Sequence, residues 1–97
     1  MKIKCLYRKN LKLSEQKLAA QTGHVVGNII QRAIRRLQMI NKDTTIVVLK
    51  ASDKKFEEKR QELEQSNPQI IYYLQVDRGF TEIPEGTETV IGWIENE

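Results

Sequence analysis

The chain has 97 residues, 39% hydrophobic and 30% charged, with a formal net charge of +3. That length predicts one domain over residues 1–97 with a single core. No apolar run approaches the ~18 residues of a membrane span, and "MKIKCLYRKN" lacks the apolar stretch of an export signal, so a cytoplasmic protein is expected. The lone cysteine, Cys5, excludes an internal disulfide and reads as a small core residue. The charge is unevenly spread: "MKIKCLYRKNLK" and "RAIRR" (32–36) are basic, whereas "EGTETVIGWIENE" is acidic. A polyanionic partner would therefore meet the first part of the chain.

Residues 3–7, "IKCLY", alternate partially and predict a first strand. Ser14 is a good N-cap, with Glu15 in the first turn behind it. From there Leu18, Val25, Val26, Ile29, Ile30, Ala33, Ile34, Leu37 and Ile40 recur at helical spacing. That pattern predicts one long helix, or two pieces meeting near Gly23 or Gly27. "TTIVVLKA" (44–51) is continuously apolar and β-branched, which predicts a central, buried strand. Ser52 or Asp53 caps a charged helix, "DKKFEEKRQELEQ", that ends before the turn-forming "SNP". "QIIYYLQV" (69–76) is a third strand, "DRGFTEIPEGTE" a loop, and "TVIGWI" (89–94) a fourth strand. The order β-α-β-α-β-β predicts a three-layer α/β fold with helices on the faces of a mostly parallel four-stranded sheet, made mixed by an antiparallel last strand. In such sheets functional residues gather at strand ends, here 8–14, 50–53 and 77–87.

Several chemistries lack their residues. There is no GxxxxGK or GxGxxG phosphate loop and no GxSxG elbow. One histidine and one cysteine do not make a zinc site without several carboxylates, and no spacing supports one. Neither a cofactor nor a metal is expected. What remains is water-based chemistry by polar groups, or binding alone.

Two stretches carry a more specific signal. "LKLSEQKLAAQTGH" and "DRGFTEIPEGTETVIG" resemble the signature segments of the type-2 peptidyl-tRNA hydrolases, which read roughly L-K-M-x-x-G-K-x-A-A-Q-x-x-H-A and D-A-G-R-T-Q-I-x-P-G-T-x-T-V-L-A/G. The likeness covers most of the chain, although the segment before "TTIVVLK" is shorter than usual. It implies a mixed four-stranded sheet covered by helices and hydrolysis of the ester joining a peptide to the terminal ribose of tRNA. It assigns catalytic positions to Lys17, Gln21, His24, Asp77, Thr81 and Thr89, and structural glycines to Gly79 and Gly86. Lys17, Gln21 and His24 share a helical face. Lys12, Arg35, Arg36 and Arg78 are the candidate tRNA contacts. The family also implies a homodimer, for which "TVIGWI" with Trp93 offers an apolar contact.

This chain departs from the pattern in the second segment. The family's arginine is Phe80 here, its glutamine Glu82 and its alanine Arg78, a net loss of one positive charge. Gln16 stands where the family has glycine, and Val25 where it has alanine. Adjacent residues in extended backbone point oppositely, so Arg78 does not simply replace a cation at position 80. On residue type alone, Lys17 is a solvated helix lysine and Asp77 a turn residue; the motifs give them their weight. The competing reading is a binding module for RNA or protein that keeps this fold with weakened or no turnover.

Overall fold

The computed structural model describes residues 1–36, 44–66, 70–79 and 83–95. The expected site residue Thr81, the departures Phe80 and Glu82, the helical positions Leu37 and Ile40, and Gln69 all lie outside the described residues.

Alternation at the start of the chain becomes strand β1 (Lys2–Arg8), with Ile3 and Cys5 wholly buried on one face. Burial pushes the Cys5 thiol up to about 11, so it is an inert core group at neutral pH. After a short 3-10 turn (Lys9–Leu11), Ser14 caps helix α1 (Glu15–Arg35) by accepting a hydrogen bond from the Lys17 N–H at 3.1 Å. α1 is a single helix of 21 residues and runs through Gly23 and Gly27. Each glycine costs about 1 kcal/mol of helix propensity. Burial of Val25, Ile29 and Ala33 against the sheet offsets that cost.

Strand β2 (Thr45–Ala51) pairs in parallel with β1, and Ser52 then caps helix α2 (Asp53–Glu64). Strand β3 (Tyr72–Val76) and strand β4 (Glu88–Glu95) complete the sheet in the order β2-β1-β4-β3. β4 is antiparallel to both of its neighbours, as the mixed-sheet reading requires. The third strand is shorter than expected: Ile71 precedes it, packing into the core and accepting a hydrogen bond from Ile94 N.

Two expectations fail for one reason. β2 is an edge strand, not a central one, and Ile46, Val48 and Leu49 are 49%, 40% and 47% exposed. The place between β1 and β3 is taken by β4, whose apolar run is equally continuous. For the same reason Trp93 cannot serve a dimer contact. It is buried beneath α2 with Phe56, Leu63 and Ile91, and the Lys59 ammonium lies 4.5 Å from its ring centroid.

The helices cover opposite faces. α1 packs over β4, β3 and β1 through Val25, Ile29 and Ala33, which meet Ile3, Cys5, Val90 and Ile94. α2 packs on the other face through Phe56 and Leu63. The first contact is set by Gly92 on β4, where an added Cβ would lie 2.5 Å from Val25 Cγ1 and 3.1 Å from Cys5 Sγ. The helix therefore sits on bare backbone. Gly92→Ala is expected to lower the urea-unfolding stability by about 1–3 kcal/mol through overpacking, whereas Gly23→Ala, whose Cβ meets nothing within 4 Å, is expected to raise it.

Candidate active site

β3 ends at Val76, and the next residue, Asp77, is a carboxylate only 2% exposed. Burial on that scale requires partners. Its Oδ1 accepts a hydrogen bond from Gly79 N at 2.8 Å, and its Oδ2 faces Lys17 Nζ at 2.6 Å. The Lys17 side chain is itself 16% exposed, so the pair is largely shielded from water. Lys17 stands in the first turn of α1, which the Ser14 cap places beside the end of β3.

The loop that carries Asp77 closes on itself. Asp77 N donates to Thr87 O, Gly86 N donates to Asp77 O, and Thr87 N donates to Pro84 O. Gly86 takes φ +88° at the third position of that last turn. Gly79 has φ +80°, and a Cβ there would meet Glu85 Cβ at 2.9 Å, so only glycine fits. The two glycines expected to be structural are therefore turn residues that hold the carboxylate in place.

A second polar contact lies deeper. Thr89 Oγ1, fully buried, donates to Gln21 Oε1 at 2.8 Å. Strict alternation would turn Thr89 to the α2 face with Ile91 and Trp93. The strand pairing shows why it does not: Gln75 pairs with Val90 and Val76 with Glu88, leaving Thr89 as the extra residue of a β-bulge. Glu88 faces α2, where its Oε1 lies 3.3 Å from Arg60 Nε, while Thr89 and Val90 both face α1. With its oxygen bonded to Thr89, Gln21 keeps its NH2 group to donate into the space beside Lys17.

That space is a cavity of about 750 Å³, lined by Lys17, Gln21, His24 and Asn28 from α1 and by Tyr73, Gln75, Asp77 and Arg78 from β3 and the residues after it. Of the residues the sequence pointed to, Lys17, Gln21, His24, Asp77 and Arg78 meet here, and Thr89 supports Gln21 from below. Lys12 is exposed at the left-handed residue before α1 and does not line the cavity; Arg35 and Arg36 are exposed at the other end of the helix. Asn28, Tyr73, Gln75 and Glu85 were not foreseen. Asn28 lies four residues after His24 on the same helical line, a spacing signal that extends the stripe; Tyr73 reads as packing. Among the described residues no three His, Cys, Asp or Glu side chains gather as metal ligands, and no helix is long and apolar enough to cross a membrane.

The fold and site define an α/β protein with a polar cavity at the end of its sheet, built around a shielded lysine–carboxylate pair. The chain belongs to the peptidyl-tRNA hydrolase PTH2 family, whose model matches residues 1–94. Membership implies hydrolysis of the carboxylic ester of peptidyl-tRNA, and peptidyl-tRNA is accordingly the substrate. No curated protein sequence matches the chain.

Asp77 is held below the usual carboxylate range, chiefly by the hydrogen bond from Lys17, then by the Gly79 N–H and the lysine charge, against the opposing effect of burial. A lowered folded pKa gives stability that is fully present above the unfolded value of ~3.9 and is lost as pH falls through the folded value. The urea midpoint of the wild type is expected to fall more steeply between about pH 5 and pH 3 than that of Asp77→Asn. Parallel slopes for the two proteins would show that the pair is not linked to folding.

Proposed function

We propose that Lys17 and Asp77 are the hydrolytic centre for peptidyl-tRNA, and for N-blocked aminoacyl-tRNA, and that they work without a metal or cofactor. The observation that carries this reading is the 2.6 Å ion pair, shielded from bulk water yet opening on the cavity. Ionised Asp77 accepts from the Lys17 ammonium and fixes its direction. The ammonium then faces the carbonyl oxygen of the bound ester, where negative charge develops as water adds to the acyl carbon. Gln21, oriented by Thr89, donates a neutral hydrogen bond from the same side. The proton that the attacking water gives up passes to the ribose oxygen, so that the acyl carbon–oxygen bond breaks with the ribose leaving as a hydroxyl and the peptide as a carboxylic acid. His24, at the exposed rim two turns from Lys17, is assigned to this leaving-group side. Thr81 is retained as a site residue on the resemblance alone. Arg78 lines the cavity, and Lys12, Arg35 and Arg36 supply exposed cations for tRNA phosphates.

The protein is read as cytoplasmic, where its substrate arises. The proposed homodimer pairs through the edge strand β2. Ile46 and Val48 flank Ile3 and Cys5 on the face that α1 covers over β1, β4 and β3. An exposed apolar edge is a ready template for pairing with a second chain. Val48→Lys is expected to shift the sedimentation-equilibrium mass from dimer to monomer without loss of fold; a wild type that sediments as a monomer removes the dimer.

The hydrolytic reading is tested with N-acetylaminoacyl-tRNA in the presence of EDTA. The wild type is expected to turn over, and Lys17→Ala and Asp77→Asn to lose roughly 10²–10³ in kcat with smaller changes in KM. Undiminished turnover in both variants would move the chemistry elsewhere. Binding of tRNA without turnover by the wild type would instead support a binding module on this fold.

A further inference from the structure

The cavity is larger than the chemistry at Lys17 and Asp77 needs. An ester group and its attacking water fill a small part of about 750 Å³. The remainder runs along α1 away from Lys17, between that helix and β3. On the helix side Lys17, Gln21, His24 and Asn28 form one polar line, and the same line meets Arg35 five full turns after Lys17, about 27 Å along the axis. Arg32 and Arg36 flank its end, and after Glu15 no acidic residue occurs on α1.

On the strand side stands Tyr73. Tyr73 lines the cavity, and the Arg32 guanidinium lies over its ring, 5.2 Å from the centroid, tied in place by donating to Tyr72 O at 2.6 Å. Facing it, Asn28 donates its amide to His24 O at 2.7 Å and so presents Oδ1 as an acceptor. An aromatic residue and a neutral amide along a groove, with cations gathered past its far end at Arg32, Arg35 and Arg36, are elements that hold single-stranded nucleic acid: bases stack on rings and phosphates meet cations.

We propose that the groove between α1 and β3 holds the single-stranded 3′ end of the tRNA, running from the ester at Lys17–Asp77 towards Arg35, with Tyr73 as the stacking surface for a base and Asn28 as its hydrogen-bond partner. The inference rests on the reading of Lys17 and Asp77 as the hydrolytic centre. Tyr73 stands four strand residues from Asp77, about 13 Å. That is too far to stack on the base whose own ribose carries the ester. The ring therefore takes a base further back along the strand, and the peptide leaves the site on the other side, near Glu85 and Gly86. A peptide in the groove would set an uncharged chain against the cationic end of α1.

The test measures binding of the RNA tetranucleotide ACCA, together with kcat and KM for N-acetylaminoacyl-tRNA. The key variant is Tyr73→Leu, which keeps apolar bulk where Tyr73 packs against the core. Loss of one stacked base is expected to weaken ACCA binding and raise KM, each by roughly 5- to 150-fold, with the loss falling on KM rather than kcat. Tyr73→Phe is expected to rescue most of both. Arg35→Gln is expected to reduce the salt dependence of tRNA binding by about one phosphate contact. Failure of the wild type to bind ACCA overturns the inference, as does Tyr73→Leu with wild-type affinity and KM. A change in kcat alone, or a KM change that depends on the acyl amino acid while ACCA binding is unaltered, also overturns it. ACCA binding that depends on Tyr73 in a protein without turnover would support the groove and defeat the hydrolytic centre; turnover indifferent to Tyr73 would do the reverse.

Discussion

A carboxylate placed almost entirely out of water at the end of a strand is the constraint on which the rest of this structure depends. Asp77 stays charged only because Lys17 Nζ and Gly79 N reach it. Lys17 reaches it only because α1 begins where Ser14 caps it and lies close enough to the sheet. That closeness requires Gly92, since any side chain there would push Val25 and the helix outward. The same placement carries Gln21 within 2.8 Å of Thr89. One electrostatic requirement therefore sets the height and start of the longest element in the chain.

The two faces of the sheet divide the work. On the α2 side, Arg8 holds Asp53 Oδ1 at 2.9 Å and the Glu88 carbonyl at 3.1 Å, while Arg60 meets the Glu88 carboxylate. These contacts anchor the residue before the bulge. Thr89 is thereby released to the α1 side, where all the cavity's helical residues lie. Surface pairs on α2 such as Lys59–Glu62 contribute little; the Arg8 and Arg60 contacts matter because they fix the backbone that turns Thr89 over.

Much of this was legible in the chain. Helical spacing placed Lys17, Gln21 and His24 on one face, Ser14 announced one helix start and the Ser52–Asp53 pair the other, and paired motifs pointed to Asp77 and Thr89 as site candidates. What was not legible follows from long-range pairing. "TTIVVLKA" and "TVIGWI" are both continuous apolar runs, and nothing local says which becomes the centre and which the edge. The bulge at Thr89 is equally invisible, because it depends on the register of β3 against β4. Alternation read from β4 alone would send Thr89 to the wrong face. Tyr73 read as packing because its bordering of the cavity depends on where α1 lies.

The central claim is that Lys17 and Asp77 act as one unit, and a double-mutant cycle in kcat tests it most directly. Lys17→Ala, Asp77→Asn and the double variant are compared with the wild type in single-turnover hydrolysis of N-acetylaminoacyl-tRNA. If the carboxylate works by directing the ammonium, the double variant loses little more than the worse single variant. Losses that multiply would mean two independent contributions and would contradict this account.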